Sequence, residues 1–173
     1  MNWEAIGAVG ELLGASGVVI TLAYLAVQLK QNTRTVRSNS ATAHTQAGQA
    51  HLTALTQNAE VNKLFWSGVS NRAGLDLDQM RRFDGILAAQ LMISEQAWRF
   101  KEEGVIDEAT WASQRAGISW IAQTPGFADY WKVWGATHHP GLAAVIAEAM
   151  SEAPRPSVSL AVELATASET PGR

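Results

Sequence analysis

The 173-residue chain has no cysteine, which excludes disulfides, thiolate-ligated metal centres and cysteine nucleophiles. Charged residues are also scarce, since Asp, Glu, Lys and Arg make up 17% of the chain, compared with about 25% in an average soluble protein. The net charge of -3 lacks the basic excess that is typical of nucleic-acid-binding proteins. We therefore expect one domain-sized core and no nucleic-acid partner.

Charge is most completely missing near the N-terminus. No Lys or Arg precedes Lys30, and Leu12–Leu29 is a run of 18 residues without any charged side chain. A helix of this length spans about 27 Å, close to the roughly 30 Å hydrocarbon core of a bilayer. The sequence therefore predicts a transmembrane helix within residues 1–30, with membrane lipid as a partner.

Two other interpretations of this run remain open from the sequence. A secretory signal peptide needs a basic segment before its apolar run, and MNWEAIGAVGE contains none. A buried helix of a soluble bundle is favoured by the glycines of the run and by Thr21 and Gln28, which dilute its hydrophobicity. The length of the run favours the membrane span.

Basic residues follow the predicted span directly. Lys30, Arg34 and Arg37 give residues 30–59 a charge of +3, and this stretch has no acidic residue. The positive-inside rule then places the N-terminus outside and residues 31–173 in the cytoplasm.

The rest of the chain has helical periodicity, and we predict an all-α fold. One N-terminal transmembrane helix should continue into a helical cytoplasmic domain of about four to five helices over residues 31–152. We predict that one of these helices begins at Asp76 or Asp78 and ends at Gly104. The next helix is predicted to begin at Asp107. Residues 153–173 hold three of the five prolines and predict a disordered tail.

Small residues recur along one face of the predicted span. Gly7, Gly10, Gly14 and Gly17 are spaced by 3, 4 and 3 residues, and Thr21 continues this register. Spanning helices associate through close contact, which glycines permit. We therefore expect packing through this stripe, either in a homo-oligomer or with a subunit of an inner-membrane complex. Packing against later helices of the same chain is the alternative.

Residues that could carry chemistry are few. His44 and His51 lie seven residues apart, too far for one metal ion on a helix, and are expected to be exposed. His138 and His139 stand at a predicted turn, and a ligand, metal or catalytic site near them is the alternative function. Because no enzyme motif is present, we predict no catalytic, cofactor-binding or metal-binding residue.

Seven tryptophans are many for this length, and most are expected to pack in the core. Trp131 and Trp134 are the exception that we single out, because they lie three residues apart on a short helix. Tryptophan is enriched in binding hot spots and at membrane interfaces. The pair is therefore a candidate interaction surface, although a lipid-facing amphipathic helix would show the same pattern.

The opening NWEAIGAVGELLGASGVVITLAYLAVQLKQNTR resembles that of a widespread family of short, uncharacterised bacterial proteins. Their members begin with a similar WEAIGA-G-E stretch and leave the apolar helix through YLAVQ-QNTR. The later segments LFWSGV, RRFDGILAAQL, EEGVIDEATW and TPGFADYW fit as well, so the resemblance covers about residues 2 to 150. It implies a membrane-anchored helical protein in a bacterial inner membrane, and it implies no activity, cofactor or catalytic residue.

Together these patterns lead us to expect a non-enzymatic interaction or accessory protein that is anchored in the membrane. The glycine-striped N-terminal helix is the element through which it should associate.

Overall fold

One uninterrupted helix forms the first third of the chain. In the computed structural model, which describes residues 2–153 and 162–163, helix α1 runs from Trp3 to Gln57. No proline interrupts it, so no backbone donor is lost. The hydroxyls of Thr33 and Thr35 donate to the carbonyls of Leu29 and Gln31 and thus remain paired within the helix. The predicted span and the helical segment after it are therefore a single element.

Five further helices follow within residues 58–153, and the all-α fold class is confirmed. They are α2 (Ala59–Asn71), α3 (Leu77–Glu102), α4 (Glu108–Ala122), α5 (Pro125–Trp134) and α6 (Pro140–Ser151). Short 3₁₀ turns at Arg72–Gly74 and Gly135–Thr137 follow α2 and α5. No strand occurs within residues 2–153.

Polar caps fix where the helices begin and end. Asp76 forms a capping box with Gln79 at the start of α3, and the Asp107 carboxylate accepts from the Thr110 N–H at the start of α4. Gly104 follows α3 with a φ of 62°, a conformation that favours glycine. The predictions for Asp107 and Gly104 are confirmed, and of Asp76 and Asp78 it is Asp76 that caps α3.

Backbone contacts divide the chain into two units, residues 1–40 and residues 41–173. The first unit contains the predicted span and the adjoining residues of α1. The second contains the end of α1 and helices α2 to α6. The disordered tail predicted at 153–173 lies outside the described residues except for Ala153, Val162 and Glu163.

The second unit encloses the hydrophobic core. Its most completely buried large side chains are Phe83, Leu87, Leu91, Phe127, Leu142 and Ile146. Helices α2 and α5 cross with their backbones in contact, since a Cβ atom at Gly126 would overlap the carbonyl oxygen of Gly68. Glycine is needed at this crossing because any side chain would force the two helices apart.

A half-buried ion pair ties the turn after α2 to α3 and α5. The Arg72 guanidinium donates through Nε and Nη2 to the Asp84 carboxylate, both at 2.7 Å. The Trp134 indole donates to the same carboxylate at 3.0 Å. The two donors to Asp84 thus fix the relative position of three elements by charge-assisted hydrogen bonds.

Candidate functional site

The apolar run of α1 is exposed from Leu13 to Leu29. Every side chain described between residues 2 and 39 is exposed, including Val19 at 65%, Ile20 at 69% and Leu22 at 61%. Within the described part of the chain, α1 is the one helix long and apolar enough to cross a membrane. Contiguous exposed apolar surfaces are typical of sites that contact lipid or another protein.

The glycines of the stripe differ from Gly141 in what surrounds them among the described residues. A Cβ atom built at Gly7, Gly10, Gly14 or Gly17 would meet no described atom within 4 Å. At Gly141, by contrast, the same atom would collide with the Trp98 ring. Packing within the described residues therefore accounts for Gly141 but leaves the four stripe glycines unexplained.

Polar groups on the stripe side of α1 are paired within the helix. The Thr21 hydroxyl donates to the Gly17 carbonyl at 2.8 Å, and the Gln28 amide donates to the Tyr24 hydroxyl at 2.7 Å. Pairing of this kind lowers the cost of placing hydroxyl and amide groups in an apolar environment. These side chains are thus compatible with a helix surrounded by lipid.

The two tryptophans of the predicted interaction surface differ in their surroundings. Trp131 is half-buried, with its ring stacked on Phe127 at 5.7 Å and on His138 at 5.4 Å between centroids. Trp134 is 43% exposed, and its indole nitrogen is held by Asp84. Trp134 is therefore the member of the pair that is available to a partner, and the interaction surface stays a prediction.

The histidines of the alternative site serve local structure. The His139 ring caps α6, because its Nδ1 accepts from the Gly141 N–H at 3.1 Å, and it packs on Trp98 at 4.6 Å. The His138 Nε2 lies 3.4 Å from the Tyr130 hydroxyl, and burial lowers the pKa of His138. Searched over the described residues, the chain has no group of three or more His, Asp or Glu side chains that could hold a metal ion.

The expectation that His44 and His51 are exposed is wrong. His44 is 6% exposed, lies edge-on to Phe100, and has its Nδ1 3.5 Å from the Gln96 side-chain oxygen. His51 is partly buried, and its Nε2 is enclosed without a hydrogen-bond partner among the described residues. Both histidines lie in the last turns of α1, which belong to the second unit.

His51 borders an open groove of about 370 Å³ formed by α1, α2 and α3. Leu55, Leu64 and Ile86 supply much of its apolar lining, and Arg82 supplies a cation. Burial lowers the pKa of His51, which keeps its imidazole neutral near pH 7. The groove offers an apolar surface with two polar groups. No sequence pattern indicated it, because its residues come from three helices.

These features define a class, an all-α protein with one candidate membrane-spanning helix and a helical second unit. Comparisons of the chain with protein-family models, with curated proteins and with solved structures give no match.

Proposed function

We propose that this protein is a non-enzymatic, membrane-anchored interaction or accessory protein of a bacterial inner membrane. The observation that carries the proposal is the exposed apolar surface of α1, which extends from Leu13 to Leu29. In water such a surface would be strongly unfavourable, because apolar burial contributes about 25 cal/mol per Å². Lipid contact removes that cost for a helix whose backbone groups are all paired internally.

The alternative function, a helical receptor or enzyme with a site near His138 and His139, has less support. The ring nitrogens Nδ1 of His139 and Nε2 of His138 already lie within hydrogen-bond range of Gly141 and Tyr130. A catalytic or ligand-binding role would have to displace these contacts.

Membrane anchoring with residues 31–173 in the cytoplasm can be tested directly. We expect the full chain to remain in the membrane fraction after alkaline carbonate washing. A C-terminal fluorescent protein should be bright, while a C-terminal alkaline phosphatase fusion should be inactive, because Lys30, Arg34 and Arg37 retain this side in the cytoplasm. Recovery of the untagged chain in the soluble fraction would contradict the anchor, and an active phosphatase fusion would contradict the orientation.

We also propose that α1 associates with a second copy through the glycine stripe, with Thr21 continuing the contact. Four glycines in a helix interior cost about 1 kcal/mol each relative to alanine, so a close backbone approach is the simplest compensation. At all four positions a Cβ atom would meet no described atom within 4 Å, which supports the approach of a partner helix to this face. A partner helix from another subunit of an inner-membrane complex would use the same face.

Self-association through the glycine stripe can be tested by substituting one residue of the stripe and one residue outside it. Gly14→Leu should convert the oligomer to monomer in mild detergent, because the leucine side chain would hold a partner helix away. Val19→Leu is the matched control, since Val19 is 65% exposed and lies about 140° around the helix from Gly14. Light scattering gives the mass of each variant. A monomeric wild type, or equal masses for the two variants, would refute self-association.

A further inference from the structure

Three basic residues lie on one face of α1 just beyond the apolar run. Lys30, Arg34 and Arg37 are all exposed, and none forms an ion pair within residues 2–153. The chain has no Asp or Glu between Glu11 and Glu60. Because α1 is continuous from Trp3 to Gln57, the angular positions of these residues follow from helix geometry.

At about 100° of turn per residue, Arg34 lies roughly 40° to one side of Lys30, and Arg37 roughly 20° to the other. The three positive charges thus occupy a sector of about 60°, which we call the basic face. Three charges of one sign on a narrow sector repel one another, so the face favours an anionic ligand that screens them.

The depth of the basic face matches the headgroup layer of a bilayer. The Cα atoms of Lys30, Arg34 and Arg37 lie about 1.5, 7.5 and 12 Å beyond that of Leu29 along the helix axis. The headgroup layer on each side of the hydrocarbon core is roughly 5–8 Å thick. Helix side chains tilt toward the N-terminus, so the long Arg37 side chain points back toward this layer.

The basic face also lies opposite the glycine stripe. Gly7, Gly10, Gly14, Gly17 and Thr21 occupy a sector of about 80°, and its centre is about 170° from the centre of the basic face. A helix that packs through its glycines therefore directs its basic residues away from the partner helix. They then face the surrounding lipid headgroups.

We propose that the basic face binds the phosphate groups of anionic phospholipids on the side of α1 opposite the glycine stripe. This inference rests on the proposed membrane anchor and names the lipid that the anchor selects. Arginine and lysine are suited to phosphate, which arginine binds through two parallel hydrogen bonds. Each basic residue near an anionic surface adds about a fivefold preference for it.

The test uses the full chain reconstituted in vesicles of equal phosphatidylcholine and phosphatidylglycerol. After mild detergent extraction, mass spectrometry quantifies the lipids that remain bound. The wild type should retain phosphatidylglycerol over phosphatidylcholine at least about fivefold, and 0.5 M NaCl should reduce this preference because salt screens exposed charges, with a Debye length of roughly 4–5 Å. The Lys30→Gln/Arg34→Gln/Arg37→Gln variant should retain the two lipids about equally.

A charge-matched control is available in the second unit. Lys63→Gln/Arg81→Gln/Arg82→Gln removes three exposed positive charges far along the chain from the span, and this variant should keep the wild-type preference. Equal loss of preference in both triple variants would overturn the proposal, because net charge rather than the basic face would then select the lipid.

Competition with a free anion is a second control. Glycerol phosphate at constant ionic strength should not displace the bound phosphatidylglycerol. Complete displacement would identify a site for free anions and would also overturn it.

A composition-preserving variant tests the face itself. Lys30→Gln/Gln31→Lys with Arg34→Thr/Thr35→Arg turns two charges by about 100° toward the glycine stripe while changing their depth by only about 1.5 Å. Its phosphatidylglycerol preference should fall at least about twofold, and an unchanged preference would overturn the assignment to one face.

The carbonate wash separates the two possible failures. A chain that resists the wash but shows no phosphatidylglycerol preference overturns the lipid site and leaves the anchor standing. A chain that the wash releases overturns both.

Discussion

His51 illustrates how one enclosed atom affects the whole unit. Its Nε2 has no partner among the described residues, and an unsatisfied buried polar group costs about 1–3 kcal/mol. We therefore expect His51→Leu to raise the free energy of unfolding at pH 8 by about 1 kcal/mol. His44→Leu should lower it instead, because that ring has the Gln96 oxygen and Phe100 as neighbours. Urea unfolding of both variants checks this, and a destabilised His51→Leu would contradict it.

The same residue predicts a pH dependence. The pKa of His51 is lower in the folded state than its ordinary value of 6.5, because burial disfavours the imidazolium. Well above pH 6.5 the His51 imidazole is neutral in both the folded and the unfolded chain, so it adds no pH dependence to the free energy of unfolding. Below pH 6.5 the unfolded chain takes up the proton first, so the free energy of unfolding falls until the folded pKa is passed. Wild type should lose more stability than His51→Leu between pH 7 and pH 5, and parallel curves would contradict this.

At the scale of elements, local signals predicted the boundaries best. The Asp107 cap and the glycine after α3 each act within one helical turn, so the sequence shows them directly. The burial of His44 was not predictable in this way. It depends on Gln96 and Phe100, which lie 52 and 56 residues further along the chain. The groove beside His51 was missed for the same reason.

The crossing of α2 and α5 yields a sharp prediction. Gly126→Ala should lower the free energy of unfolding by about 1–3 kcal/mol, because its Cβ would overlap the Gly68 carbonyl oxygen and the backbone would have to shift. Gly117→Ala is the matched control inside α4, where a Cβ meets no described atom within 4 Å. It should raise stability by up to about 1 kcal/mol, since alanine is the better helix former. Thermal unfolding monitored by circular dichroism distinguishes them. Similar destabilisation by both substitutions would show that the crossing tolerates a side chain.

At the scale of the whole molecule, the two units differ in what stabilises them. All the buried hydrophobic side chains of the described residues lie between Leu64 and Ala149, in the second unit. No described side chain of residues 1–40 is buried, so this part of the helix has no core of its own among the described residues. The sequence indicated this difference through the uncharged run. The sequence did not indicate that the end of α1 belongs to the second unit, because His44 and His51 were expected to be exposed polar residues.

Truncation tests this division. A fragment of residues 41–153 should unfold cooperatively and within a few degrees of the full chain in the same mild detergent, since it keeps the entire core and the buried His44 ring. A fragment of residues 58–153 also keeps the core but removes the end of α1, and so exposes the surface of α3 around Gln96 and Phe100. Its melting temperature should be lower, by about 4–8 °C for each kcal/mol lost. Equal melting temperatures for the two fragments would mean that the end of α1 adds nothing to the second unit. Loss of cooperative unfolding in the longer fragment would mean instead that residues 1–40 are needed for the core to form.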